Sequence, residues 1–584
     1  MAAGWSRREW LALIGSLGVG SAAFHRALAA TAMQMPSEGI TPEMVKNAEW
    51  IAGISLSDSQ RRTVAHRLTA SLRQLRQLRD TAVGYEVPPA LVFTPMPGQT
   101  NGTAERGQVQ LSPLVEPVRR PKSHTELAYL PVYQLAELLH TRQVSSVELT
   151  RLYLDRLRLY DPALLCVVTL MEDLALRQAE QADKEIAAGR YRGPLHGIPW
   201  VAKDLIAYPG YRTTWGAEPF REQRLEQKAT VAARLEEAGA VLLAKTSLGA
   251  LAQGDQWFGG QTRNPWNPKQ GSSGSSAGTA AAVAAGLAAF GLGSETLGSI
   301  ISPSARCGVT GLRPTFGRVS RFGCMPLAWS LDKIGPMARC VEDCALILAA
   351  LHGADPQDPT TVTRPFHWPG KKPLRELRVG YFEEKGLATA EADLKVLRSL
   401  GVRLVPIRLP WRLASALIGI ILEAEAATAF DDLTRSGVQT GIGNWAITFR
   451  RARFHTAVDY LRAQRLRNVL MRQMQEVFET IDLYVGGNDL AIANLTGHPT
   501  ICLPNGFTAA GTPTAITFTG SLFGETDLLA LAKAYQEATG HHRRRPPEEK
   551  WIPIEKEKGL PEKEKIPPKK EILPGEKEKN PSGK

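Results

Sequence analysis

Apolar residues recur along the middle of the chain at two different spacings, and the two spacings alternate. Residues 145–160 and 228–239 carry apolar positions at helical spacing, whereas short apolar runs such as 240–243 are bounded by glycines. Helices that alternate with short buried strands are typical of an α/β sheet that helices cover on both faces. We find no internal repeat and no further boundary between residues 123 and 542. This pattern predicts one large α/β domain over residues 123–542.

The first thirty residues follow another pattern. They have a basic start, an apolar run from Trp10 to Phe24, and small residues up to Ala30. The run is shorter than the roughly 20 residues that a membrane-spanning helix needs. The pair Arg7-Arg8 shortly before Trp10 resembles a twin-arginine signal. We predict that residues 1–30 are a cleaved export signal and that the mature chain lies in the periplasm or elsewhere outside the cytoplasm, with no stable membrane span. An uncleaved anchor and a fortuitous resemblance at the terminus are the alternatives.

Two further segments flank the predicted domain. Residues 31–122 contain a helical pattern from 41 to 80 and then a stretch rich in proline, glycine and polar residues from 88 to 122. They predict a helical extension followed by a linker or a strap across the surface. Residues 543–584 repeat EKEK among prolines, a composition typical of a disordered tail. Part of the net charge of +12 lies in this tail, so the charge does not indicate a nucleic-acid partner.

The cysteines indicate neither a disulfide framework nor a metal site. Six cysteines in 584 residues are too few for a disulfide scaffold, and we expect them to be buried small apolar residues. Cys340 and Cys344 lie one helical turn apart, but zinc requires three or four ligands. No zinc, calcium or dinucleotide motif is present in the sequence, so we predict no metal and no cofactor.

The stretch GSSGSSAG, residues 271–278, suggests a nucleophile. Ser276 is the central serine of a G-x-S-x-G pattern, which in an α/β-hydrolase follows a buried strand. Residues 264–271 have the local signals of a loop, so this context is not met. A phosphate-binding loop is a second alternative, although the Gly-Lys-Ser/Thr ending that supplies its lysine is missing.

A third interpretation follows from longer motifs. The Gly/Ser-rich block 271–314, the upstream segment Gly-Ile-Pro-Trp-Val-Ala-Lys-Asp (197–204) and the later SLDKIGPMAR (330–339) are all present in the chain. Residues 125–540 strongly resemble the amidase signature family. The resemblance implies a large three-layer α/β/α fold around a mixed β-sheet, here with an N-terminal helical extension. It also implies cleavage of a carbon–nitrogen amide bond through a covalent acyl-serine intermediate.

The resemblance assigns a Ser-Ser-Lys triad to named positions. Ser299 is then the nucleophile, Ser275 the bridging serine after a cis Gly274–Ser275 peptide bond, and Lys203 the base. The backbone donors of the oxyanion hole are implied at Thr296, Leu297, Gly298 and Ser299.

This triad sets a physical requirement on its lysine. A serine hydroxyl becomes nucleophilic when a base takes its proton, and a lysine can do so only when it is neutral. The pKa of Lys203 must therefore fall by several units from about 10.4, through burial and hydrogen bonding. For His196 and His498 we expect structural hydrogen bonds rather than a Ser-His pair.

Four positions depart from the family pattern. Glu295 stands where the family has aspartate, Leu297 where it has glycine, Ile301 where it has arginine, and Ala277 where the first of two glycines is common. A leucine keeps its backbone N–H, so we expect the oxyanion hole to survive if the φ of Leu297 is negative.

The sequence thus predicts an exported amidohydrolase that acts on a small-molecule or peptide-like amide, without a nucleic-acid partner. Two alternatives remain open. One is an amidotransferase-type subunit that acts on aminoacyl-tRNA, against which the export signal argues. The other is a non-catalytic envelope binding protein that kept the fold.

Overall fold

The computed structural model describes residues 39–52, 56–66, 68–69, 93, 105–113, 116–384, 388–411, 414–453, 455–486 and 489–551. The predicted export signal, residues 1–30, and residues 552–584 of the predicted tail lie outside these ranges. The described chain divides into a small unit, formed by residues up to 87 with 453–459, and a large unit that holds the rest.

The small unit contains helix α1 (Pro42–Ala52), and residues 58–66 are also helical. The Thr41 hydroxyl accepts a hydrogen bond from the Met44 N–H at 3.2 Å, which stabilises the start of α1. Arg61 in the second helical segment donates to Glu49 in α1 at 2.7 Å. The helical pattern in the sequence is therefore confirmed over these residues.

The large unit is built on one sheet of eleven strands. They are β1 (Val167–Leu170), β2 (Pro199–Lys203), β3 (Val241–Thr246), β8 (Phe290–Glu295), β9 (Thr310–Arg313), β10 (Lys333–Ala338), β11 (Arg378–Tyr381), β12 (Arg403–Pro406), β13 (Leu483–Gly486), β14 (Thr500–Phe507) and β15 (Pro513–Gly520). Their order in the sheet is β1-β3-β2-β8-β10-β9-β14-β15-β13-β11-β12. Strand β2 runs parallel to both β3 and β8, whereas β8, β10, β9, β14, β15 and β13 pair antiparallel in turn. The sheet is therefore mixed, as the resemblance implies.

Two small two-stranded ribbons lie outside this sheet. They pair β4 (Gln256–Trp257) with β5 (Gly260–Gln261), and β6 (Arg263–Asn264) with β7 (Asn267–Gly271). The interpretation of residues 264–271 as a loop was therefore wrong, because residues 267–271 form a strand. That strand belongs to a ribbon and not to the central sheet, so the strand-to-helix context of a hydrolase elbow is still not met.

Helices precede, connect and follow the strands. Those that lie entirely or, for α14, mostly in the large unit are α2 (His124–Ala128), α3 (Val132–His140), α4 (Ser146–Leu164), α5 (Glu172–Ala187), α6 (Thr230–Glu237), α7 (Ala277–Ala284), α8 (Ile301–Cys307), α9 (Val341–Leu351), α10 (Glu391–Ser399), α11 (Ala414–Ala429), α12 (Asp431–Arg435), α13 (Trp445–Ala452), α14 (Ala457–Thr480), α15 (Leu490–Thr496) and α16 (Glu525–Thr539). Helix α4 begins after Ser145, whose hydroxyl accepts the Glu148 N–H at 3.0 Å. A short polar side chain therefore fixes the start of this long helix.

Four neighbouring strands of the sheet, β3, β2, β8 and β10, are buried on both faces. Every residue of β2, β3, β8 and β10 is buried, which is why these strands read in the sequence as continuous apolar or small-residue runs. They also bring polar side chains into the interior, and a buried polar group requires a partner. No described helix is both long and apolar enough to cross a membrane.

The chain continues on the large unit beyond residue 542. Glu548 accepts a hydrogen bond from Arg156 of α4 at 2.7 Å, and the Trp551 indole donates to the Pro265 carbonyl at 2.8 Å. Trp551 is only 2% exposed. The start of the predicted tail, up to Trp551, thus packs on the domain, because it includes a large aromatic side chain that the EKEK repeats lack.

Candidate active site

Lys203 is the last residue of β2, and its side chain is fully buried in the sheet interior. Its Nζ donates to Ser275 Oγ at 2.7 Å, to Ser294 Oγ at 2.8 Å and to the Ser294 carbonyl at 3.3 Å. All three partners are oxygen atoms of neutral groups. The structure therefore brings Lys203 and Ser275 together, as the sequence predicts.

This environment changes the acidity of the lysine. Burial lowers the pKa of Lys203 from its ordinary 10.5 to about 7, and the negative charges of Asp332 and Glu295 oppose this shift. Burial acts strongly here because none of the hydrogen-bond partners carries a compensating charge. A substantial fraction of Lys203 is therefore neutral near pH 7, which is the state that a general base requires.

Ser275 lies just before α7, in the turn that the Gly/Ser-rich block forms. The Gly274–Ser275 peptide bond is cis, as the resemblance implies. Ser276 is fully buried, and its hydroxyl donates to the Ser294 carbonyl and accepts the Ser294 N–H, both at 3.1 Å. Because both hydrogen bonds tie Ser276 to the backbone of β8, its hydroxyl holds the turn against the sheet.

Ser299 lies between β8 and α8. Its carbonyl accepts the Ser276 N–H at 3.1 Å, so its backbone contacts the turn that carries Ser275. Ser299 is half-buried, whereas Ser275 is 1% exposed. The nucleophile of the predicted triad is thus more accessible than the bridging serine, as attack on a substrate requires.

The backbone of the turn 296–299 meets the φ condition set from the sequence. Leu297 is not among the described residues with positive φ, so it meets the condition set from the sequence. Gly298 has a φ of +86°, and a Cβ at this position would lie 2.9 Å from Ser302 Oγ. The position that needs a glycine therefore has one. The Leu297 side chain is 40% exposed and leaves the turn without entering the core.

Glu295 stabilises this turn through hydrogen bonds to the backbone that follows it. Its carboxylate accepts the N–H groups of Ile300 and Ile301 at 2.9 and 3.0 Å, and Arg313 donates to it at 2.6 Å. Burial raises the pKa of Glu295, but the charges of Arg313 and Lys333 and these hydrogen bonds outweigh it and set the pKa at about 2. Glutamate therefore supplies the buried, charged carboxylate at the position where the family has aspartate. Ile301 is only 4% exposed, so it packs in the interior where the family has arginine.

The sequence analysis missed three polar groups that support the site. Ser294 contacts Lys203, and Asp332 accepts the Thr296 hydroxyl at 2.6 Å while burial raises the pKa of Asp332. Lys245 on β3 forms a buried ion pair with Asp204 at 2.8 Å. Asp332 lies within the motif SLDKIGPMAR, so the motif offered a signal. Ser294 likewise lies within the Gly/Ser-rich block 271–314. For Lys245 only the pairing of strands places it here.

The remaining candidates have structural roles. The Nδ1 atom of His196 accepts the Arg192 N–H at 3.1 Å, and His498 is hydrogen-bonded to Thr496 at 2.8 Å. Burial lowers the pKa of His498 to about 3. The six cysteines are free, and all except Cys324 are buried, as expected. The described residues contain no group of three His, Cys, Asp or Glu side chains that could hold a metal ion.

Comparisons with known proteins agree with this geometry. The model of the family described as Amidase matches residues 148–486, more than half of the chain. This chain belongs to the amidase signature family, whose members act on carbon–nitrogen bonds.

Among curated proteins the chain is similar to components of an amidotransferase. It is 36% identical over 482 residues to a glutamyl-tRNA(Gln) amidotransferase subunit of Azoarcus sp. strain BH72, and the match covers 71% of this chain and 99% of the relative. It is 35% identical over 487 residues to the equivalent protein of Roseiflexus castenholzii, with 72% and 98% covered. These matches favour the amidotransferase alternative over a free-standing hydrolase.

Among solved structures the chain is similar to amidases. The peptide amidase of Stenotrophomonas maltophilia matches with a TM-score of 0.64 and 31% identity, covering 71% of this chain and 98% of that one. A bacterial aryl acylamidase matches with a TM-score of 0.65 at 23% identity, which shows the fold alone. The predicted α/β fold around a mixed sheet is therefore confirmed.

Proposed function

We propose that this chain cleaves a carboxamide by acyl transfer to Ser299. The observation that supports this most directly is the environment of Lys203. This lysine is buried, forms hydrogen bonds only with neutral oxygens, and lies with its Nζ 2.7 Å from Ser275 Oγ. The pKa of Lys203 is about 7. Burial of a lysine costs stability, and a buried lysine with a strongly lowered pKa is typical of a functional site.

The proton follows one route in both halves of the reaction. Neutral Lys203 takes the proton of Ser275 while Ser275 takes that of Ser299, and Ser299 Oγ bonds to the carboxamide carbon. The backbone N–H groups of the turn 296–299 stabilise the oxyanion. The carbon–nitrogen bond then breaks, and the proton returns through Ser275 to the leaving amine. Water attacks the acyl-serine by the same route and releases the acid.

Two candidate functions differ in what receives the nitrogen that leaves the carboxamide. In the first, an exported amidohydrolase releases the amine to solution, in line with the twin-arginine-like start of the chain. In the second, the chain is an amidotransferase-type subunit that passes nitrogen toward an aminoacyl-tRNA. The similarity to glutamyl-tRNA(Gln) amidotransferase subunits over nearly their whole length supports the second more strongly.

Labelling with a fluorophosphonate tests the nucleophile. We expect the probe to modify Ser299 in the purified full-length protein, and Ser299→Ala to abolish labelling. Ser276→Ala is the matched control, because a hydrolase elbow would place the reactive oxygen there. If Ser276→Ala removes the label and Ser299→Ala keeps it, the assignment is wrong. No labelling of the folded wild type would favour a non-catalytic binding protein.

Two measurements separate the acceptor hypotheses. A free-standing amidohydrolase turns over peptide or aryl amides as a purified single chain, with Ser299→Ala as the blank. An amidotransferase subunit instead releases little ammonia alone and amidates glutamyl-tRNA only when its partner proteins are added. Mass spectrometry of the mature N-terminus, compared with an Arg7→Lys, Arg8→Lys variant, tests the proposed export.

A further inference from the structure

A cavity lies away from the predicted triad, and its lining is strongly basic. It has a volume of about 240 Å³ and is formed by the loop after β10, the C-terminal ends of α7 and α8, residues 129–134, and the segment that follows α16. Ser275 and Ser299 precede the N-terminal ends of α7 and α8, so the cavity lies at the opposite ends of these two helices. It therefore forms a site separate from the one described above.

Four arginines and a histidine line this cavity, and its lining includes no carboxylate. Arg543, Arg544 and Arg545 are exposed, and within the described part of the chain none of them forms an ion pair. Arg339 directs its terminal nitrogens to the carbonyls of helix ends and loops. The charge of Arg339 acts on the nearby buried carboxyl of Asp343, but no carboxylate lines the cavity itself. Positive charges grouped around one cavity repel one another, which favours an anion between them.

Two residues that line the cavity each have a buried side-chain nitrogen without a partner. Among the described residues neither Arg339 Nε nor His542 Nδ1 has a hydrogen-bond partner, although both atoms are buried. A buried nitrogen without a partner is costly. The pKa of His542 is lowered to about 4 by burial and then by the charges of Arg543 and His541. The positive field of the segment therefore extends to the cavity wall.

Aromatic rings fix two of the exposed guanidinium groups. The Arg544 guanidinium lies 3.8 Å from the centroid of the Phe507 ring, and that of Arg545 lies 4.9 Å from the Tyr129 ring. Such cation–π contacts hold a guanidinium in place without neutralising its charge. The arginines are thus positioned before any ligand arrives, and less conformational entropy is lost when one binds.

We propose that this cavity binds a small oxyanion with two or more negative charges. A guanidinium forms paired hydrogen bonds with phosphate and with carboxylate oxygens, so the shared chemistry is that of an organic phosphate or a polycarboxylate. The volume is below the roughly 300–1,000 Å³ of pockets for drug-sized ligands, which limits the ligand to a small molecule.

Isothermal titration of the full-length protein at about 20 mM salt, where screening is weak, tests this site. Pyrophosphate and citrate are the two probes, and they distinguish the phosphate source from the carboxylate source. We expect at least one to bind with one site per chain. The variant Arg543→Gln, Arg545→Gln should weaken that binding by at least about tenfold, since two charged donors are lost.

The matched control is Arg375→Gln, Arg403→Gln, which removes the same charge from exposed positions outside the cavity. It should bind as the wild type does. Equal weakening in both variants would assign the binding to overall charge and overturn the proposal, as would failure of both probes to bind. A thermal melt checks folding, and if the double variant is destabilised, Arg543→Gln alone replaces it, because the aromatic contacts of Arg544 and Arg545 are then kept.

Discussion

Two buried lysines lie on neighbouring parallel strands of this protein, and they have opposite surroundings. Lys203 ends β2, and Lys245 lies on β3, where it pairs in register with Ala202. Both side chains are fully buried. Lys245 forms an ion pair with Asp204 at 2.8 Å and donates to Thr213 Oγ1 at 3.0 Å, whereas Lys203 meets only serine oxygens.

The difference shows that burial alone does not make a lysine a base. Asp204 follows Lys203 in the sequence, yet successive side chains of extended backbone point to opposite sides, and its carboxylate serves Lys245. Lys203 and Asp204 are therefore adjacent in the sequence but do not form an ion pair with each other. Without a direct counter-charge, Lys203 loses much of its affinity for a proton. We infer that Lys245 stabilises the fold and Lys203 performs chemistry.

The largest expected effect comes from Lys203→Met. Removal of the base should lower kcat for amide cleavage by about 10⁴-fold or more, as in other nucleophile–base systems. The free energy of unfolding should stay the same or rise, because a buried amine is replaced by an apolar side chain of similar length. Steady-state kinetics and a urea titration measure the two quantities. A variant that keeps its kcat would show that Lys203 is not the base.

Lys245→Met should have the reverse profile. It leaves Asp204 buried without its cation, which should lower the free energy of unfolding by about 3–5 kcal/mol. The double variant Lys245→Met, Asp204→Asn should recover part of this loss, because no buried charge is left alone. Urea denaturation compares the three proteins. The comparison of the two lysines fails if Lys245→Met retains full stability but loses as much kcat as Lys203→Met.

The pH dependence should follow the pKa of Lys203, about 7. Below that pH, kcat/KM should fall about tenfold per unit, because only neutral lysine accepts the serine proton. Between about pH 7 and 10 the unfolded chain binds the lysine proton more tightly than the folded chain does. The free energy of unfolding should therefore rise with pH, by up to about 1.4 kcal/mol per unit.

Lys203→Met is the control for this second effect, since it removes the titrating group. In that variant the slope of stability against pH between pH 7 and 10 should decrease by the contribution of one proton. A slope identical to that of the wild type would mean that Lys203 keeps its ordinary pKa. Urea titrations at a series of pH values measure the slope in both proteins.

Ser294→Ala should have the smallest effect. It removes the hydroxyl that accepts from Lys203 at 2.8 Å but leaves Ser275 in place. We expect kcat to fall by about tenfold, which corresponds to one hydrogen bond. The acidic limb of the pH profile should move to lower pH, because the hydroxyl stabilises the protonated amine. A purely structural role would leave the position of that limb unchanged.

Local sequence signals determined much of this molecule. Alternating apolar runs predicted the helices and strands of the α/β domain, and the Gly/Ser-rich motifs pointed to the amidase signature family and to Lys203, Ser275 and Ser299. These signals are readable because glycine, proline and short polar side chains fix turns through their own backbone preferences. Export, the domain limits and the triad roles remain predictions.

Only the tertiary structure decided which polar groups meet. Ser294 lies 91 residues from Lys203, and Arg467 of α14 lies 137 residues from Ser330, to which it donates a hydrogen bond at 2.8 Å. The pairing of β2 with β8 brings Lys203 to Ser294, and the packing of α14 brings Arg467 to Ser330. The sequence therefore determined which residues could carry the chemistry. The packing of strands decided which lysine keeps a counter-charge and which does not, because a side chain's partners are set by its neighbours in space.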